Sequence, residues 1–155
     1  LLDAIAAWPL AAALRGSAVI YVLINAMHIA AVGLLLGSIV TLDLRLLGLF
    51  RSYPIAHLAP PLVRVATAGL LVAAITGLLL FSTRPATYAA NPAFLAKLAL
   101  IVVGLLNVAF LRLRPRWMED RDGQRAAVSV RAAAAVSLIV WLGAVLAGRW
   151  IGFLQ

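Results

Sequence analysis

Cysteine is absent from this sequence, which excludes disulfides, thiolate metal sites and thiol redox chemistry and leaves the redox compartment open. Acidic side chains are scarce, with five Asp and Glu against 13 Lys and Arg. Only two histidines and two methionines are present, so a metal ion would have to be held by few side chains or by oxygen. Charged residues make up 12% of the chain, whereas 65% is hydrophobic and the mean hydropathy is +1.09. That balance lies outside ordinary soluble domains and predicts an integral membrane protein forming a single domain over residues 1–155.

Several function classes lack their motifs. No Gly-rich phosphate loop, H-E-x-x-H zinc site or nucleophile elbow is present, and neither an inverted repeat nor a pair of broken spans suggests alternating access. An enzyme acting on its own is therefore not expected. The formal net charge of +8 does not indicate nucleic acid, because the arginines fall between apolar runs rather than along one amphipathic face. They read as topology signals and lipid-headgroup contacts.

What remains is a series of long apolar runs. Four spans are predicted at about 17–42, 62–83, 92–111 and 130–150. The first would rise about 39 Å at about 1.5 Å per residue, more than the roughly 30 Å hydrocarbon core, so it must tilt or protrude. Pro60 and Pro61 are expected to introduce the second span, and Asn91 to cap the third with Pro92 at its first position, as proline is tolerated at a helix start and disfavoured inside. Trp150 and Phe153 would mark the exit of the fourth at the interface. The first residues, "LLDAIAAWPLAAALRGS", do not read as a secretory signal, since no basic segment precedes their apolar part and Asp3 stands near their start. Leu1, Ile5 and Trp8 fall at helical spacing, which suggests a short interfacial segment over 1–16. The fold class is thus all-α, an antiparallel four-helix membrane bundle with an N-terminal interfacial segment.

Nine of the 13 basic residues lie in the two connections between spans one and two and between three and four or in the span ends that adjoin them. The positive-inside rule then predicts cytoplasmic connections and both termini on the periplasmic side. Small residues recur four apart at Gly33 and Gly37, at Gly69, Ala73 and Gly77, and at Gly143 and Ala147, as expected where helices approach closely in lipid.

Among these runs the stretch "YVLINAMHIAAVGLLLGS" carries His28 near the expected bilayer midplane. An imidazole there loses its water and needs a partner, and such residues mark cofactors, metals or proton paths. Asn25 and Tyr21 fall one and two turns before it on nearly the same helical face and are candidate neighbours. The functional reading is an axial ligand to haem iron, with Asn25 or another polar group fixing the second imidazole nitrogen. The structural reading is a neutral histidine bonded to Tyr21, Asn25 or a carbonyl. His57 belongs to the connecting turn, too far away to ligate with His28, so a second ligand is expected from a symmetric dimer, another subunit or Met27. Asp43 is expected to pair with Arg45 and Arg64 as a structural ion pair, with proton access as an alternative role. Lys97 is expected to snorkel and Asn107 to bond between helices.

The segments "MHIAAVGLLLGSIVTLDLRLLG", "TAGLLVAAITGLLLF" and "NPAFLAKLALIVVGLLN" together resemble a family of small, uncharacterised four-helix bacterial inner-membrane proteins. More distantly, a histidine-bearing first span followed by a glycine stripe is similar to the membrane region of the copper-resistance protein D family and to b-type cytochrome bundles. The resemblance implies a multi-pass protein of the bacterial inner membrane and a metal or haem role for His28. Copper uptake would call for more His and Met than this chain offers, so haem b ranks ahead of copper. The expectation is a haem-binding electron-transfer subunit, one component of an oxidoreductase, working in the lipid bilayer with a second copy or other membrane subunits and with quinone or a periplasmic redox partner. The alternatives are a copper-handling permease-like protein centred on His28 and Met27, or a non-catalytic accessory subunit.

Overall fold

The computed structural model describes residues 2–113 and 127–154. The basic and acidic residues of the second connection, Arg114, Arg116, Arg121, Arg125, Glu119, Asp120 and Asp122, and with them Met118, lie outside the described residues. Two short helices, α1 (Leu2–Ala6) and α2 (Pro9–Gly16), precede α3 (Ala18–Leu47), α4 (Ile55–Thr83), α5 (Pro85–Ala90), α6 (Pro92–Arg112) and α7 (Val128–Trp150). A 3-10 turn, Ile151–Phe153, follows α7. Helices α3, α4, α6 and α7 with its final turn are long and apolar enough to cross a membrane, and there is no strand among the described residues. The protein is a multi-pass helical membrane protein whose apolar helices suit a lipid bilayer.

Local chemistry explains where the spans begin and end. Ser17 caps α3 by accepting the Ile20 amide at 3.4 Å. At the other end α3 runs on through Asp43 and Arg45 until Gly48 takes a left-handed φ of 111°, a conformation that glycine adopts without a Cβ penalty. The Gly48 and Leu49 amides then donate to the carbonyls of Arg45 and Leu44 at 3.1 and 2.9 Å. Asn91 caps α6 as its sequence position predicts, accepting from the Ala93 and Phe94 amides at 2.9 and 3.3 Å.

The start of α4 differs from expectation. It begins at Ile55, so Pro60 and Pro61 fall in its second turn instead of introducing it. Their missing N–H groups release the carbonyls of Ala56 and His57 from the helix ladder. Ile55 and Ala59 are nevertheless buried at 3% and 0% exposure. They belong to an apolar cluster with Leu46, Leu111, Val130, Ala133 and Ala134, and that packing outweighs the lost ladder bonds.

The spans pack in the order α4, α3, α7, α6, with α3 against both α4 and α7 and with α6 against α7. At the end carrying the connections between α3 and α4 and between α6 and α7, here the loop end, the cluster around Leu46 draws in residues from all four spans. At the opposite, terminal end, α4 and α6 meet through aromatic rings. Phe81 stacks on Phe94 at 5.4 Å, and Tyr88 of α5 tilts against both. Helix α2 buries Ala11 and Leu14 against this end, where Arg15 donates to the Ala6 carbonyl at 2.7 Å and reaches the Thr83 carbonyl at 3.5 Å.

Glycines set how closely the helices approach. A Cβ on Gly69 would stand 2.8 Å from the Ala31 carbonyl and 2.9 Å from the Leu35 amide, so α3 and α4 touch backbone to backbone. Gly104 lies under the Trp141 ring, which a Cβ would meet at 2.9 Å. The Asn107 side chain donates to the Ala133 carbonyl at 3.0 Å and ties α6 to α7, as its place in an apolar span predicts. Gly33 and Gly37 break the pattern, because both are exposed and a Cβ on either would meet nothing within 4 Å. This stripe faces away from the other spans.

Candidate functional site around His28

His28 is half-buried on the inward face of α3 and meets Thr76 of α4, with Nδ1 2.9 Å from Oγ1. Thr76 is only 1% exposed, and its hydroxyl donates back along its own helix to the Val72 carbonyl at 2.7 Å. A hydroxyl has one proton to give, so once that proton goes to the backbone the oxygen faces His28 as an acceptor. The hydrogen-bond network therefore assigns the proton of the neutral imidazole to Nδ1, with the Ala73 carbonyl a further acceptor in reach. Nε2 keeps its lone pair. An imidazole oriented through one nitrogen and open at the other has the form of a metal-ligating histidine.

Gly77 makes this placement possible. A Cβ there would come within 3.2 Å of His28 Cε1, a contact tighter than a ring fixed by a hydrogen bond readily relieves. The stripe of Gly69, Ala73 and Gly77 thus has two roles. Gly69 joins the helix backbones, and one and two turns further on Ala73 and Gly77 leave space for the ring.

Lys97 of α6 adds charge to the same interior. Its stem lies along α7 over Gly148, where a Cβ would find Cδ at 3.4 Å and Nζ at 3.6 Å. Gly148 stands near the terminal end of α7, so the side chain runs toward that end, as snorkelling predicts. The only carboxylates among the described residues are Asp3 in α1 at the terminal end and Asp43 toward the loop end, and Lys97 forms an ion pair with neither.

Other expected neighbours are placed elsewhere. Tyr21 is exposed and Asn25 half-buried, and neither makes a side-chain hydrogen bond among the described residues; Thr76 takes the role expected of them. Thr76 is separated from His28 by 48 positions, and its one signal in the sequence is a lone hydroxyl beside Gly77 in an otherwise apolar run. Met27 is exposed at 46% on the outside of α3, so it does not share the interior with His28. His57 is exposed in the first turn of α4. Ala26, Ala30, Gly33 and Gly37 lie between about 140° and 200° round the helix from His28 at 100° per residue. A dimer formed through that small-residue face would hold its two His28 side chains apart, so it is not a route to one haem between them.

The expected ion pair also resolves differently. Asp43 is 4% exposed, lies within hydrogen-bonding reach of Ser137 on α7, and leaves Oδ2 without a partner. Arg45, equally buried, donates from Nε to the Tyr53 carbonyl at 2.7 Å and so holds the turn into α4. Arg64 is exposed. Asp43 and Arg45 are two positions apart, which turns their side chains about 200° from one another on a continuous helix. Continuation of α3 past residue 42 is what separates them. No group of three or more His, Cys, Asp or Glu suited to a metal ion occurs among the described residues.

Residues 13–154 match DUF6644, a family of unknown function. The chain belongs to this family. No curated protein and no solved structure matches it.

Proposed function

We propose that the chain is a haem-binding subunit of a membrane electron-transfer complex, with His28 Nε2 as one axial ligand of a haem b. The observation that carries this reading is the bond from His28 Nδ1 to Thr76, whose own proton is committed to Val72. It leaves a neutral, oriented imidazole with a free lone pair inside an apolar bundle, the state in which histidine binds iron. Two further features fit the group. Gly77 keeps the ring free of a Cβ, and the Lys97 ammonium forms no ion pair among the described residues and suits a propionate. When bound, the haem supplies reversible one-electron chemistry. The residues of this chain hold the ligand ring, set its tautomer and exclude water from it.

The resemblance to b-type cytochrome bundles and to the copper-resistance protein D membrane region supports the same reading. The resemblance also implies the bacterial inner membrane, and the distribution of Lys and Arg then favours cytoplasmic connections with both termini in the periplasm. Partners under this reading are quinone or a periplasmic redox protein, together with other membrane subunits or a second copy of the chain.

The deciding experiment is a visible spectrum of the detergent-purified protein, expressed with ample haem, oxidised and then reduced with dithionite. Sharp reduced-haem bands are expected, and they should vanish in folded His28→Ala. A colourless, folded wild-type protein overturns the proposal, as do haem bands that persist unchanged in His28→Ala.

A further inference from the structure

Asp43 is the one acidic side chain among the described residues of the four spans, and the His28 site does not use it. It is 4% exposed on α3, and its Oδ2 has no hydrogen-bond donor. No element packed nearby offers it an ion-pair partner among the described residues. On α3 itself, Arg45 turns to the Tyr53 carbonyl and Ser38 is buried and uncharged. On α7, Ser137 is in reach of the carboxyl; Arg131, half-buried with an Nε that has no hydrogen-bond partner, stands six residues from Ser137 toward the loop end, about 9 Å of helix rise, and forms no ion pair with Asp43. On α4, His57 and Arg64 are exposed; on α6, Arg112 is exposed and Asn107 donates to Ala133.

Among the described residues a carboxylate held in that setting has no ion-pair partner, and at 4% exposure it is largely cut off from water; burying an unpaired charge costs far more than burying the neutral acid. We propose that Asp43 is a proton-binding site of the membrane interior, occupied in the folded protein as the carboxylic acid. In the neutral acid one oxygen carries the proton and the other accepts from Ser137. The ligand is a proton, and the exchange partner is water or a buffer acid at the loop end. Ala31 and Leu35, 3% and 7% exposed and pressed against Gly69, fill the inward face of α3 on the way to His28. Asp43 is therefore a site of its own, about 22 Å along the helix from His28 at 1.5 Å per residue.

The test is infrared difference spectroscopy of the purified full chain in detergent at neutral pH, in H2O and D2O. A carboxylic-acid C=O band is expected in the wild type, absent in Asp43→Asn and retained in His28→Ala. Raising the pH should bleach the band with release of one proton per chain. Absence of the band from folded wild-type protein overturns the proposal, as does its survival in Asp43→Asn. If Asp43→Asn does not fold, Ser137→Ala carries the test. A shifted band supports Asp43 as its source, and an unshifted one overturns it.

Discussion

His28 and Thr76 meet at 2.9 Å across the contact between α3 and α4, and the direction of that bond follows from a third group. With the Thr76 hydroxyl assigned as donor to the Val72 carbonyl, the imidazole is the donor in this pair and Nε2 keeps the lone pair. Thr76→Val keeps the side-chain shape and removes the acceptor. The expected cost is about 1–3 kcal/mol for a polar group left unpaired, read as a lower thermal midpoint in detergent. Thr76→Ser should stay near wild type. A haem-loaded Thr76→Val protein should also show a changed reduction potential, because the ligand ring loses its orienting partner.

Gly69 and Gly33 occupy similar four-residue patterns and should respond in opposite ways. Gly69→Ala puts a methyl 2.8 Å from the Ala31 carbonyl. Backbone cannot yield as a flexible side chain does, so α3 and α4 must separate, at about 1–3 kcal/mol. Gly33→Ala meets nothing within 4 Å and should be neutral or stabilising by up to about 1 kcal/mol, the helix preference for alanine. Thermal unfolding of the two variants side by side measures the difference, and equal losses would contradict the packing described for α3.

Gly48→Ala should weaken the turn between α3 and α4. The φ of 111° disfavours any L side chain, and the new Cβ would come within 2.8 Å of the Arg51 guanidinium. A loss of about 1–2 kcal/mol is expected from the left-handed backbone. Arg51 is flexible and can move away, so the backbone contribution should dominate. Limited proteolysis at residues 48–54 offers a local readout beside the melting curve.

Asn91 serves two ends of the chain at once. Its Oδ1 caps α6, while Nδ2 donates to the Ile151 carbonyl at 3.3 Å and reaches that of Leu154 at 3.5 Å. Asn91→Ala should cost about 1 kcal/mol for the cap. It should also speed amide exchange over residues 151–154. Asn91→Asp keeps the cap and loses the donor, so it should accelerate that exchange with a smaller loss of stability.

Much of the architecture is legible in the sequence because membrane spans are read from composition over long windows. The third and fourth spans, the Asn91 cap and the Asn107 bond rest on such signals. The first and second spans read too short at the loop end, for different reasons. Asp43 and Arg45 look like a boundary, yet the helix continues to the residue that can adopt a left-handed φ. Two prolines look like a helix start, yet burial of Ile55 and Ala59 extends α4 in front of them.

The site is only half legible. His28 stands out by its chemistry, whereas periodicity points for its partner to Tyr21 and Asn25, because it reveals neighbours within one helix and nothing about the facing one. The Gly33 and Gly37 stripe looks equivalent to that of Gly69, Ala73 and Gly77 because four-residue spacing records a smooth face and not its direction. The same limit applies to Asp43, whose nearby arginines in sequence point elsewhere in space.

The sequence by itself determined that this is a four-span helical membrane protein with an isolated imidazole at depth, since hydropathy and helical period act over local stretches. Only the tertiary structure decided that Thr76 is the partner of the imidazole and that Asp43 stands apart from Arg45. Those relations depend on how separate helices rotate and slide against one another, and backbone contact at Gly69, with the ring space left at Gly77, governs that choice.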